Sequence, residues 1–350
     1  MKQEIYTISI FYRLLCLALL PFFTTACLYE YPTLTKDGEL GIDPTVVNVN
    51  VDLTLNLKFA HGITETVDYT GAADYRHRFI VDAYLDRQLA SRHIIYKEPT
   101  DDEEFTANLS MQLHARDYQL VVWADYVKAD NDDDLYYDTS TLVPAINTKA
   151  YWGNAEYKDV FYASQPLPLG SYRDQWDVEI PVSIEMERPV ARYELIADDV
   201  KKFLKNIASG DITGNKFTLT VRYTNLFSTG WNALDGIAKN ALRYISYNQT
   251  IPVPTAETEN LRVGLDYVFV PDGNADIPIA VEVADAKGKV IALTYLLLEC
   301  KANQNQIIHS NFLTADPSGG VGFDPDYDDN INDEIEVESL SLIHISEPTR

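Results

Sequence analysis

Cys27 is the residue whose position suggests the clearest chemistry. It follows Thr24-Thr25-Ala26 and closes a segment that begins with Lys2 and Arg13 and runs through the apolar stretch Leu14–Phe23. A basic start, a short apolar stretch and a small residue before the cut describe a secretory signal. A thiol directly after that cut is an acceptor for acyl chains, so residues 1–26 read as a lipoprotein signal and Cys27 as the lipidated first residue. Thr24 stands where a bulkier aliphatic side chain is commoner. The apolar stretch is about half the roughly 20 residues that a spanning helix needs. Each buried methylene of an acyl chain contributes roughly 0.8 kcal/mol, so several chains anchor durably without such a helix.

Two acidic runs have the alternate spacing of a calcium loop: Asp130, Asp132 and Asp134, and Asp324, Asp326 and Asp328. An EF-type loop also needs Gly at its sixth position and Glu at its twelfth. The first run offers Leu135 and Thr141 there, the second Asp329 and Ile335, so both read better as solvated loops than as calcium sites. Trp152, Trp176 and Trp231 lie in stretches rich in Gly, Asn and Asp, where exposed rings could stack on sugar faces; loops packing onto a core is the plainer reading. Trp123 sits inside a strand pattern and reads as core.

Other chemistry is sparse. No Gly-rich phosphate loop, His-Glu-x-x-His, Gly-x-Ser-x-Gly or Cys-x-x-Cys occurs. His61, His77, His93, His114, His309 and His344 are scattered and read as surface or loop residues. Cys300 follows the apolar run Val290–Leu298 and reads as a small buried hydrophobe. No cofactor is implied, and no motif proposes the carboxylate pair of a glycosidase.

The elements that must position these residues are mostly strands. Val47 to Phe59 alternates almost without a break, with seven apolar residues on one face and Asn, Asp, Thr and Lys on the other. The stretch predicts a half-buried strand, expected at a sheet edge. The same period returns at Val178–Met186, where Pro181 hints at an edge strand, and at Phe217–Tyr223. Less tidy strands read at Arg78–Leu85, Tyr118–Ala124, Ala191–Ile196, Leu265–Val270, Ile279–Ala284 and Val290–Leu298, with a hairpin turn at Asp285–Gly288. Helix is predicted at Asp198–Ala208 with Asp198 as N-cap, and a short second one within Trp231–Tyr244.

Many strands and few helices imply an all-β fold (minor α) of antiparallel β-sandwiches. The chain of 350 residues is long for one sandwich and natural for two. The expected joint is Glu187-Arg188-Pro189, because Pro189 stops ladder pairing just before a new apolar run. That divides the chain into a linker at 27–45, sandwiches at 46–188 and 189–325, and an acidic segment at 326–337. Residues 338–350 break sharply from the acidic stretch before them and read as a non-native, adapter-derived tail. No tandem sequence repeat is visible. The net charge is −25, and one unit more acidic without residues 1–26, so nucleic acid and anionic lipid are poor partners.

Several stretches together resemble a known family. Trp123-Ala124-Asp125-Tyr126, Tyr136-Tyr137, Tyr151–Asp159 and Phe161-Tyr162-Ala163 are similar to the N-terminal domain of fimbrillin-like lipoproteins of Bacteroidales. Glu187–Leu195 resembles the entry to their second domain, and Asn305–Thr314 followed by Val321–Asp329 and Ile331–Ile335 resembles their close. The resemblance covers roughly residues 27–337 and points to the type V pilus proteins, including the minor-fimbrium anchor and accessory subunits. It implies two tandem transthyretin-like sandwiches, an outer-membrane lipid anchor and a non-enzymatic role in fimbria assembly and adhesion, with other fimbrial subunits as partners. It also implies a maturation step in polymerising subunits: an Arg-specific cut removes a first strand and opens a groove for a neighbour. Here no arginine stands between Cys27 and Arg76, so the first strand is expected to stay, as in an anchor or accessory protein. The rival reading is a surface glycan-binding lipoprotein of a polysaccharide-uptake system, and a weaker third is a glycosidase-like enzyme.

Overall fold

The computed structural model describes residues 45–57, 74–98, 104–146, 151–176, 178–254 and 259–317. Cys27, the signal and linker, His61, Asp324, Asp326, Asp328, the acidic segment, His344 and the tail lie outside the described residues.

Alternation becomes sheet first at β1 (Val46–Asn56), whose inward row from Val47 to Leu55 continues at Leu57 and is buried throughout. The first half continues through β2 (Tyr75–Leu85), β3 (Gln88–Lys97), β4 (Glu104–His114) and β5 (Asp117–Lys128). The short strands β6 (Tyr137–Asp138) and β7 (Ala145–Ile146) precede β8 (Phe161–Pro168) and β9 (Glu179–Met186). One sheet runs β4-β1-β9, the other β3-β2-β5-β8. Val49, Leu53 and Leu55 meet Phe79, Val81 and Val122 between them in one apolar core.

The second half opens with β10 (Val190–Ala197) and the helix α1 (Val200–Ala208). It continues with β11 (Lys216–Tyr223), β12 (Phe227–Asn232), β13 (Ile237–Leu242), β14 (Ser246–Pro252) and β15 (Leu261–Phe269). β16 (Asn274–Ala284), β17 (Val290–Lys301) and β18 (Asn305–Ser310) complete it. Its sheets run β15-β10-β18 and β14-β11-β16-β17.

The two halves share one plan. In each, the opening strand is central, antiparallel to one neighbour (β4 or β15) and parallel to the half's last strand (β9 or β18). The facing sheets also correspond strand for strand once β6–β7 and β12–β13 are set aside as insertions. The repetition is one of topology, with no sequence repeat beside it. Those two insertions pair with each other in a further sheet, β13-β12-β7-β6, drawn from both halves.

Three expectations are corrected. β1 is not an edge strand, because β9 returns parallel along its free side; alternation reports a buried face and carries no information about edges. No helix forms in Trp231–Tyr244, where β12 and β13 make a hairpin instead. α1 starts at Val200, with Asp199 rather than Asp198 at its N-cap. The Asp199 carboxylate is taken by the Leu313 amide and the Thr314 hydroxyl, which ties the helix start to the end of the described chain.

Candidate functional site: the first strand and the joint between the halves

β1 is paired along both of its sides. Its outward polar row is clipped to β4: Asn108 donates to Asp52 at 2.6 Å, Ser110 to Asn50 at 2.7 Å and Gln112 to Asn48 at 3.1 Å. On the other side β9 pairs from Asn48↔Glu179 to Leu55↔Met186. Pro181 is tolerated because β9 ends its sheet and one side of it carries no ladder.

Where β1 ends, Arg188 begins the joint. Its Nη2 donates to the carbonyl of Leu57 at 3.0 Å, and Nε and Nη2 grip the Asp159 carboxylate at 2.8 and 2.9 Å. Its Nη1 donates to Asn303, just before β18, and the guanidinium lies 4.5 Å from the centre of the Phe161 ring. Both partners of the Arg188–Asp159 pair are fully buried. Breaking such a pair from one side costs about 3–5 kcal/mol, because a buried charge is left alone.

A second buried ion pair crosses from the first half to the second. Lys158 Nζ lies 2.6 Å from Asp266, and both side chains are fully buried. The hydroxyls of Tyr151 and Tyr223 each donate to Asp266 at 2.6 Å, and Lys158 also donates to Tyr151 at 2.9 Å. Tyr193 extends the network to Tyr223 and Tyr247. Burial, helped by the charge of Asp266, pushes the hydroxyls of Tyr151 and Tyr223 well above the usual tyrosine range. Burial pushes the Lys158 amine down, and Asp266 opposes that shift. Groups enclosed in this way tie the two halves together. Nearer the surface Arg192 bridges Glu156 of the first half and Glu194 of its own strand.

The exchanged hairpins complete the joint. Gly230 faces Ala145, and a Cβ there would lie 2.8 Å from the carbonyl oxygen of Pro144, which is why the position carries glycine. Trp231 N donates to that carbonyl at 2.9 Å and Ala233 N to Leu142 O at 3.1 Å. The β12–β13 turn reaches the first half through Ser164, which donates to Leu234 O at 3.0 Å. It does so again through Arg87, whose two terminal nitrogens meet the Asp235 carboxylate at 2.8 Å each. Arg87 and Asp86 form the β2–β3 turn, both with positive φ as a two-residue hairpin of this kind requires.

Trp152, Trp176 and Trp231 differ in exposure. Trp231 is buried at 4 % exposure, stacked on Phe269 and edge-on to Tyr162, so it presents no face to a sugar. Trp152 and Trp176 are exposed at 55 % and 57 %. Asp174, two residues before Trp176, donates its amide to the Thr45 hydroxyl just before β1, whereas Trp152 neighbours the stretch that bonds β15 through Asn154. Asp132 and Asp134 are held by Arg76 and Arg78, and Asp134 also accepts from Thr139, while Asp130 is exposed. Among the described residues no group of three His, Cys, Asp or Glu side chains could hold a metal ion.

Trp123 is fully buried, as its pattern predicts. Cys300 is a buried free thiol, and burial pushes it up to about 12. His77 departs from expectation: it is 2 % exposed in the first core, against Phe105 and Tyr126. Sequence reasoning missed Lys158, Asp159 and Asp266 altogether. The signal was the stretch Tyr151–Asp159, which carried part of the resemblance without assigning Lys158 or Asp159 a role.

A family model described as "Family of unknown function (DUF6562)" matches residues 44–341. No curated protein matches the sequence. Solved structures that resemble the chain include proteins described as fimbrial, as adhesins and as polysaccharide-binding. One is the fimbrial anchor protein Mfa2 from Porphyromonas gingivalis, at 12 % identity and a TM-score of 0.36, covering 71 % of this chain and 82 % of that one. Another is a fimbrial assembly protein from Parabacteroides distasonis, at 10 % identity and a TM-score of 0.33, covering 75 % and 91 %.

Proposed function

The chain belongs to the DUF6562 family, and from that premise we propose that it is a non-enzymatic lipoprotein of the outer membrane. In this reading it acts as an anchor or accessory subunit of a type V-like fimbrium. The stretches that resemble fimbrillin-like lipoproteins, Tyr151–Asp159 and Glu187–Leu195, contain Lys158, Asp159, Arg188 and Arg192. Those are the side chains that build the joint. The resemblance therefore falls on interior machinery, where chance similarity of surface residues would not place it. Two transthyretin-like units divided at Glu187–Pro189 belong to the same proposal.

Two observations support an end or side role within such a fimbrium, the first being that no arginine stands between Cys27 and Arg76 at which an Arg-specific cut could release β1. The second is that β1 is paired on both sides, so the first half has no open slot for a donor strand. A protein whose own first strand completes its sheet suits an end or a side of a fibre better than its repeating stalk. Contact with other subunits would then use its surface or its unpaired sheet edges.

The test is Cys27→Ala. The variant is expected to lose incorporation of labelled palmitate and to leave the outer-membrane fraction for the periplasm or medium. Fimbrial subunits should co-purify with the membrane-bound wild type. A variant that keeps both the label and the membrane overturns the lipoprotein reading. The rival glycan-binding reading now has two exposed rings, Trp152 and Trp176, instead of three. Binding to a polysaccharide panel that Trp152→Ala abolishes would move the assignment there.

A further inference from the structure

We propose that this protein is a tension-bearing element, in which a pull between its two ends is carried in shear by one parallel ladder in each half. The inference rests on the surface-anchored reading for the origin of the pull. The geometry that carries it is independent of that reading.

The path of force through the fold is short. A pull entering at Thr45 reaches β1 at its outer end. β1 is bonded side by side to β9, which runs in the same direction and ends at Met186 beside Leu55. Force therefore enters this ladder at one end of one strand and leaves at the opposite end of the other. In a parallel ladder the hydrogen bonds are evenly spaced along the strands. Sliding one strand past the other strains all of them together, whereas peeling strains them one by one. The chain between β1 and β9 lies off this path.

The second half repeats the arrangement in the same order. Glu187-Arg188-Pro189 passes the pull directly from β9 to the first residue of β10. β10 runs parallel to β18 from Arg192↔Asn305 to Ala197↔Ser310, and the chain leaves at the far end. Both halves thus meet the load in the same sense. The connector is itself held, because Arg188 donates to Leu57 O at the end of β1 and to Asn303 just before β18. One buried side chain ties together the inner ends of both ladders. An ordinary two-sandwich protein has no need of that placement; it could connect its halves through any loop.

Single-molecule pulling on the full chain tests this, with azide-bearing residues as handles. Handles at Val46 and Glu187 load the first ladder in shear, and handles at Val46 and Glu179 peel the same ladder from one end. Glu179 and Glu187 are exposed, so the handles leave the core untouched. At one loading rate the shear pair is expected to rupture at several-fold higher force than the peeling pair, forced unfolding being governed by the unfolding barrier. A handle at exposed Ser183, midway along β9, should give an intermediate force and serves if either end variant misfolds. Handles at Val46 and Pro317 should show no event at the peeling level before the ladders yield. Equal forces in the two geometries, or a first event at the peeling level in the end-to-end pull, would overturn the proposal. The forces are read on the isolated chain, so a failed localisation test leaves them unchanged, and their failure leaves the localisation result standing.

Discussion

The ring of His77 lies between Phe105 and Tyr126, 4.6 and 4.2 Å away centre to centre, and burial pushes its pKa down to about 3. The folded protein therefore keeps the ring neutral at pH values where the unfolded chain, with an ordinary histidine near 6.5, binds a proton. Stability from this group is full above about pH 6.5 and is lost as pH falls toward 3. The loss should reach about 2 kcal/mol by pH 5. His77→Phe keeps the aromatic packing and removes the titration. Urea unfolding at pH 7.5 and pH 5 should show the variant losing less stability on acidification by about that amount. Parallel losses in the two proteins would place the acid sensitivity elsewhere. The residue was read as a surface histidine because a single His in a strand gives no sign of which face it takes.

At the scale of elements, the joint depends on how closely β12 approaches β7. Gly230→Ala would place a methyl group 2.8 Å from the Pro144 carbonyl and 3.1 Å from the Asn240 amide. Overpacking against backbone costs typically 1–3 kcal/mol. The variant should lose that much stability, and the amides of Trp231 and Ala233, which bond Pro144 and Leu142, should exchange hydrogen faster than those of β11. Unchanged exchange at both amides would show that the pairing does not hold the hairpins. Legibility differed among the elements for a physical reason. β1, β9 and β11 have one wet face, so alternation exposed them in the sequence. β2 and β5 are buried on both faces, because one side packs on the β1 sheet and the other on the joint, and their patterns blur accordingly. β13 is exposed along nearly its whole length and offered no pattern at all. The joint was legible only as Glu187-Arg188-Pro189; the partners of Lys158 and Arg188 lie 108 and 29 residues away, and charge pairs at such separations leave no local spacing.

At the scale of the molecule, two halves of one strand topology share a buried joint, and the apolar core of the second half takes in Ile80, Trp123 and Val160 of the first. The first half in turn depends on β1. Six apolar residues of its inward row, Val47 to Leu57, are buried, each contributing roughly 1.5–3 kcal/mol before chain entropy is set against it. A domain is stable by only roughly 5–15 kcal/mol. A chain beginning at His61 should therefore lack a folded first half, seen as loss of the near-ultraviolet signal from Trp123 in its packed site. Recovery on adding the peptide of residues 45–57 would show that the slot survives. Recovery with an end segment of another fimbrial subunit would reassign the protein as a strand acceptor.

The parallel pairing of β1 with β9 also sets a schedule. β1 leaves the ribosome before the other strands, yet its far-side partner begins only at Glu179, and β7 waits in turn for β12. Contacts so distant in sequence make for slow folding and leave apolar surface uncovered meanwhile. The strand with the most regular apolar row thus keeps one backbone edge unpaired until β9 arrives. A holding chaperone that grips extended apolar segments would find its target in Val47–Leu57 during synthesis and transport, and would have to release it only when more than half the chain had arrived.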